Sequence, residues 1–387
     1  METLILGWYI LVETGSVLLL TLFGALLFGG TLVAPMFGVV GDRVGHRNLL
    51  CGLRAFYLVL AASVMVIAFA GALSPLVVLV ITGLMGVVRP SDLGVRAALV
   101  ADNMASDELI AAMGISRTTS DSARIAGALT GAGMFAAFGI GPAYVAVVAF
   151  YALGLLLTLG ITNRRPKPRP RDATDAGLPR PSAWRDLREG LAYVWSTPRL
   201  LAATWIAVLV NLTAFPLSNG LLPYVAREVY RIDQTGLAYL VASFAFGALL
   251  GSLAVSMRGG IRPARMMIIT GVAWYLFLLI FAQLRDPQIG IAMLLLAGFA
   301  QSFSMVSLAV LMLRNTSQQF RGRVMGVRMM AIYSLPLGLL TAGVLIEHIG
   351  FHATATLYAM IGLVLTLVIG VMWRDDIWHA DVPANAR

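Results

Sequence analysis

Long apolar runs separated by short polar breaks alternate along the whole chain. They cover residues 17–40, 49–70, 75–99, 109–138 and 142–162, and resume after a polar break as 199–222, 235–257, 266–283, 289–313, 324–347 and 351–373. Each is near the length of about 20 residues that a helix needs to cross a bilayer. Residues 3–12 are also apolar but too few to span alone. Backbone groups in hydrocarbon need internal partners, so the runs predict helices. The turns between them are short and carry Gly or Pro, as at Gly71 to Pro75, Gly139 to Pro142 and Arg285 to Pro287. The pattern therefore predicts an all-α membrane protein with eleven full spans and a first-helix stub.

Composition removes the soluble alternative. The chain is 59% hydrophobic and 12% charged, whereas soluble domains carry about 25% charged residues. Its formal charge of +9 is almost all arginine, Lys167 being the only lysine. Those arginines are not evenly spread. With the turn at Asp42 placed in the cytoplasm, alternate loops gather Arg43 and Arg47, the group Arg164 to Arg188, then Arg258, Arg262, Arg265, Arg314, Arg321, Arg323 and Arg374. The opposite loops hold only Arg227, Arg231 and Arg285. This asymmetry puts the Asp42 turn, the linker and the C-terminus on the cytoplasmic side. It also accounts for the charge without nucleic acid, since no stacking aromatics interleave the basic run at 164–171.

The break at 163–198 divides the chain into a bundle at 1–162, a cytoplasmic linker, a second bundle at 199–373 and a tail at 374–387. The linker opens with a proline-rich charged stretch that should be extended. It then places Trp184, Leu187, Leu191 and Val194 near helical spacing. Such a helix either lies at the membrane interface or packs on the bundle. Ser116 to Leu157 and Arg328 to Leu367 repeat one pattern, a Gly-rich span, a short turn and a second span, at corresponding places in the two parts. A repeat in the same sense predicts pseudo-symmetric six-helix bundles with a site between them.

Gly38, Asp42, Arg43, Gly45 and Arg47 follow the pattern G-x-x-x-D-R-x-G-x-R, with His46 inside it. On these residues the chain resembles the major facilitator superfamily of transporters, His46 standing where that family's loop usually has arginine. It is similar to the drug and siderophore exporter branch through the tripeptide Thr14 to Ser16, the helix segment Arg89 to Val100, the run Arg321 to Gly326 and the tripeptide Pro336 to Gly338. The resemblance implies efflux of an amphipathic organic molecule by proton antiport across the cell membrane, or import on the same fold. Family members have a full first helix, and here only a short stretch precedes Glu13. A late start is the favoured explanation, and a degraded transporter or non-transporting receptor is the rival reading.

Ionisable residues inside a span are expensive and mark function or pairing. Arg89, Asp92 and Arg96 share one helix face, as do Arg117, Asp121 and Arg124 on the next helix. Equal depth across the hairpin puts Arg89 opposite Asp121 and Asp92 opposite Arg117, which predicts a ladder of crossed ion pairs. Such a ladder is structural, or else Asp92 or Asp121 exchanges a proton. Arg89 also resembles the superfamily's fourth-helix arginine, which is associated with proton coupling.

The loop pattern has a mechanical reading. Asp42 is expected to contact the start of the eleventh helix or pair with Arg323 or Arg328, and Arg43 or Arg47 to take Asp102, forming a cytoplasmic latch. Gly114, Ala123, Gly127, Ala128 and Gly131 follow the exporter helix-five spacing with two alanines substituted, and suit a close helix contact. By superfamily architecture, Asn211, Thr213, Asn219, Gln301, Ser302 and Ser304 are candidate substrate contacts, with Phe215, Phe299, Phe303 and Tyr333 as aromatic walls.

Enzymatic chemistry lacks a catalytic set. Cys51 is alone, and His46, His348, His352 and His379 show no metal-ligand spacing. No phosphate-binding G-x(4)-G-K-[ST] loop is present. The expectation is a monomeric transporter without metal or cofactor, whose partners are a small solute, protons and the lipid bilayer.

Overall fold

The computed structural model describes residues 1–32, 40, 44–103, 109–161, 183–257, 262–317 and 320–378, all helical or in turns. In order these are α1 (Glu2–Thr14), α2 (Val17–Leu26), α3 (His46–Phe69), α4 (Pro75–Asn103), α5 (Leu109–Phe138), α6 (Ile140–Leu159) and α7 (Ala183–Ser196). There follow α8 (Pro198–Val229), α9 (Gln234–Met257), α10 (Pro263–Gln283), α11 (Pro287–Arg314), α12 (Arg321–Met330), α13 (Ser334–Met372) and α14 (Arg374–Trp378).

Eight described helical stretches are long and apolar enough to cross a membrane, the last covering Arg323–Met372 with a bend at Gly350. This is fewer than the eleven expected. The described part of α2 is only 10 residues long. The last stretch contains two expected spans in one, and α5, with its charged first half, is not among the eight. Large side chains such as Phe69, Leu76, Phe150, Leu157 and Val371 face outward, as lipid contact requires.

Local chemistry explains the breaks. Gly15 ends α1 in the left-handed region, Thr14 Oγ1 accepts from the Ser16 amide at 3.2 Å, and Ser16 Oγ accepts from the Leu19 amide at 3.3 Å. The tripeptide is thus a helix stop and an N-cap in succession. Asp286 likewise caps α11, accepting from the Gln288 amide at 2.8 Å with Pro287 in the first turn.

The internal repeat has a matching backbone feature. The turn between α5 and α6 is made by Gly139 at φ 80° and ψ −175°, and the bend inside α13 by Gly350 at φ 80° and ψ 168°. Both are conformations that a side chain resists. They set the two spans of each pair back against one another at corresponding places.

Buried apolar side chains form two clusters. One lies wholly within residues 5–147, and the other gathers residues 194–377 together with Leu4, Trp8, Val17, Ala128 and Ala132. Those five, from α1, α2 and α5, are where the first set of helices meets the second. Helix α2 packs along α13 and α5 along α9. A β-carbon at Gly24 would lie 3.0 Å from Leu339. On α1, the Leu11 carbonyl accepts from Arg227 of α8.

Helix α8 departs from regular geometry. Val210–Ala214, Pro216–Gly220 and Val225–Val229 are π turns, closed by bonds such as Leu221 N–H to the Pro216 carbonyl at 2.9 Å. Nothing in the apolar pattern announced them.

The linker helix α7 packs on the bundle. A β-carbon on Gly190 would come within 3.0 Å of Arg323 Cβ. Tyr193 stacks on Phe320 at 4.6 Å, and its hydroxyl accepts from the Ser317 amide at 3.4 Å. Through these contacts α7 packs on α12.

Candidate functional site

Thr82, Met85, Arg89, Asp92 and Arg96 recur along α4 at helical spacing and form one stripe. They face a cavity of about 390 Å³ closed by α1, α2, α3 and α6. Glu2 and Thr3 enter it from α1, Arg54 and Tyr57 from α3, and Tyr151 from α6. The apolar part of its wall includes Leu6, Phe23, Leu27 and Val147.

Its polar groups are unevenly satisfied. Glu2 accepts from the Tyr151 hydroxyl at 2.8 Å and the Tyr144 hydroxyl at 3.4 Å. Tyr151 in turn stacks on Tyr57 at 5.6 Å. Asp92 takes Arg96 of its own helix at 2.5 Å. Arg89 reaches Thr3 Oγ1 at 3.5 Å and lies over the Phe28 ring at 5.8 Å. The Arg54 Nε, Arg96 Nε, Tyr57 hydroxyl and Thr82 hydroxyl are buried without a hydrogen-bond partner. Tyr57 is 8% exposed and Thr82 fully buried. So many unpaired donors in one place are rare in folded proteins.

On the α4 side of the expected ladder, the described contacts run within the helix and to α1. Asp92 pairs within its helix, with Arg96 one turn along on the same face. Arg89 reaches toward Thr3 of α1. The side chains of Arg117 and Asp121 lie outside the described residues, and Arg124 is exposed. The sequence analysis passed over Glu2, Arg54, Tyr57 and Tyr151. Arg54 carries a signal, being an arginine within an apolar run, whereas Glu2 lies ahead of the first apolar run.

The family model for the Major Facilitator Superfamily matches residues 3–336. The chain belongs to the Major Facilitator Superfamily. Among similar proteins, the "Multidrug efflux pump Tap" of Mycolicibacterium fortuitum is 27% identical over 182 residues, which is 46% of this chain and 44% of the relative. The pump of the same name from Mycobacterium tuberculosis (strain ATCC 25618 / H37Rv) is 29% identical over 172 residues, 43% of this chain and 40% of the relative. The match thus spans less than half the length of these relatives. The fold is shared with the nucleoside transporter NupG, at TM-score 0.67 and 16% identity over 96% of this chain and 94% of that one. It is also shared with the human organic anion transporter MFSD10 (TETRAN), at TM-score 0.58 and 18% identity over 91% and 83% of the two chains. The protein is accordingly a multi-pass membrane protein of the superfamily.

Other expected superfamily features fall in different places. Of the loop pattern, Gly38, Asp42 and Arg43 lie outside the described residues, as does the side chain of Asp102. Gly45 precedes α3 at φ 92°. Arg47 donates to the Leu159 carbonyl at the C-terminus of α6 and to Asn48 Oδ1 at 3.4 Å, so its guanidinium neutralises a helix end. Arg323 is ion-paired with Glu189 of α7 at 2.9 Å, and Arg328 is half-buried on α12.

On α5, Ala128 is buried, Ala123 is exposed and Gly131 leaves room for Met1, with β-carbon space of 2.6 Å to its Cγ. The Gly114 side lies outside the described residues, and Gly127 also faces Met1.

The candidate substrate contacts do not line the cavity. Thr213 is buried and shares a hydrogen bond of 2.8 Å with Tyr275. Ser304 donates to the Met267 carbonyl at 3.0 Å. Asn211 Nδ2 donates to the Ala207 carbonyl at 2.8 Å, and exposed Asn219 lies 3.3 Å from Ser218 Oγ. Gln301 and Ser302 are buried and Tyr333 is half-buried. Phe215 packs edge-on to Trp274, and Phe299 lies against Phe303. Small polar side chains in apolar helices commonly bond back to the preceding turn, and that is what several of these do.

Proposed function

We propose that this protein exports a small amphipathic organic solute across the cell membrane by alternating access, driven by proton antiport. The observation that carries the reading is the charged cavity inside the first set of helices, where Glu2 and Asp92 share a membrane-embedded space with Arg54, Arg89 and Arg96. Ionisable groups at such depth mark solute or proton paths. A cavity of this size, part apolar and part polar, also suits a small organic ligand. The relatives named multidrug efflux pumps support the outward direction and the organic solute.

In this reading residues 1–162 and 199–373 rock about a central cleft. The linker 163–198 and the tail lie in the cytoplasm, where arginine collects. Asp42, Arg43, Arg47, Arg323 and Arg328 form the inner rim, and Glu2 and Asp92 carry protons between the two states. The chain works as a monomer. Asp121 remains a further candidate for the proton step.

The test is accumulation of dansylcadaverine, a cationic amphipath, in inverted vesicles or proteoliposomes holding the full chain, with and without an imposed pH gradient. Accumulation beyond that of protein-free vesicles, which trap a weak base passively, is expected and should be lost on collapsing the gradient. Accumulation no greater than in protein-free vesicles would remove the antiport mechanism.

A further inference from the structure

The cavity has more donors than its own acceptors can use. Three guanidinium groups, Arg54, Arg89 and Arg96, face two carboxylates, Glu2 and Asp92. Both carboxylates are engaged, Asp92 by Arg96 and Glu2 by the Tyr151 and Tyr144 hydroxyls. Arg54 has no ion-pair partner among the described residues, and its Nε is buried and unpaired beside the unpaired Tyr57 and Thr82 hydroxyls. Arg89 makes a long contact with Thr3 and a ring contact with Phe28, with the Glu2 carboxylate as its nearby counter-charge. A guanidinium in an apolar span without a counter-charge is strongly unfavourable, so a site built this way is complete only with an anion in it.

The shape specifies the anion further. Arginine presents a planar fork that matches a carboxylate in two parallel hydrogen bonds. Beside this polar end, Phe23, Leu27 and Met85 line the same space with apolar surface. We propose that the cavity takes the carboxylate of an acidic amphipathic solute, held by Arg54 with the Tyr57 and Thr82 hydroxyls and faced by Arg89, its apolar part against Phe23, Leu27 and Met85. This deepens the export reading by naming the substrate class, and it rests on that reading only for the direction of movement.

The experiment compares three dansyl probes of equal fluorophore and different head group on the full chain in lipid nanodiscs, without a gradient. These are dansylglycine, its methyl ester and dansylcadaverine. The acid is expected to bind about tenfold tighter than the ester, the increment of a charge-assisted bond. Arg54→Gln should bring that ratio close to one, and Arg54→Lys should keep part of it. Tyr57→Phe preserves the ring stack on Tyr151 and should lower the ratio several-fold, which keeps the test open if Arg54→Gln does not fold. Equal binding of acid and ester by the unaltered protein overturns the proposal. So does an acid preference that survives both Arg54→Gln and Tyr57→Phe. Gradient-driven accumulation of dansylglycine in vesicles holding the full chain separates the two readings. Accumulation without any acid preference removes the anion subsite alone, and an acid preference without accumulation supports the subsite and removes export alone.

Discussion

Glu189 of the linker helix holds Arg323 at the start of α12 at 2.9 Å, and the same guanidinium lies over the Phe320 ring at 5.2 Å. The chain segment that joins the two sets of helices is therefore attached to the second set by charge and by ring contacts. Both partners are about a third exposed, at 31% and 36%, so the pair contributes about 0.5–1 kcal/mol. Glu189→Gln should speed hydrogen exchange in α7 by a few-fold and leave the spans unchanged. Exchange measured by mass spectrometry checks it, and unchanged protection of α7 would show that Tyr193 and Phe320 suffice.

Gly139 and Gly350 hold the same positive-φ conformation at corresponding turns. Alanine at either position meets about 1–3 kcal/mol of backbone strain. Gly52→Ala, in an open place on α3, should instead be neutral or stabilising by about 0.5–1 kcal/mol. Thermal unfolding in detergent should rank the three accordingly. Equal midpoints for Gly350→Ala and Gly52→Ala would contradict the turn geometry.

Asp92 and Arg96 form the ion pair nearest the unpaired donors of the cavity. Asp92→Asn leaves Arg96 without its counter-charge and should cost about 1–3 kcal/mol, between the values for exposed and buried pairs. Restoring neutrality with Asp92→Asn and Arg96→Gln together should recover part of the loss. A double-mutant cycle on thermal stability measures the coupling, and simple additivity would show that the pair contributes nothing.

Glu2 accepts two tyrosine hydroxyls in an apolar setting. Under the antiport reading, Glu2→Gln abolishes gradient-driven accumulation while leaving probe binding within about twofold, because the amide keeps the shape and the hydrogen-bond acceptor. Counterflow, which needs no proton movement, should persist in that variant. Undiminished gradient-driven accumulation would move the proton step to another carboxylate.

Asp286 caps α11 from an exposed turn. Asp286→Ala should lower stability by about 1 kcal/mol, and Asp286→Asn should largely restore it. Chemical denaturation of the two variants provides the comparison.

The apolar periods along the chain were enough to show a helical membrane protein, its turns and its internal repeat. Apolar runs of about 20 residues in lipid select helix over the shorter alternating strands of a barrel, and turn residues act locally. The one-face spacing of Arg89, Asp92 and Arg96 was equally legible, since a single helix decides it. Which groups those side chains meet was not. The pairing of Asp92 with Arg96, the turning of Arg89 toward Thr3 and the convergence of Glu2, Arg54, Tyr57 and Tyr151 depend on how five helices rotate about their own axes as they pack. Close approach of backbones and the filling of volume set those rotations. Neither quantity can be read along one dimension.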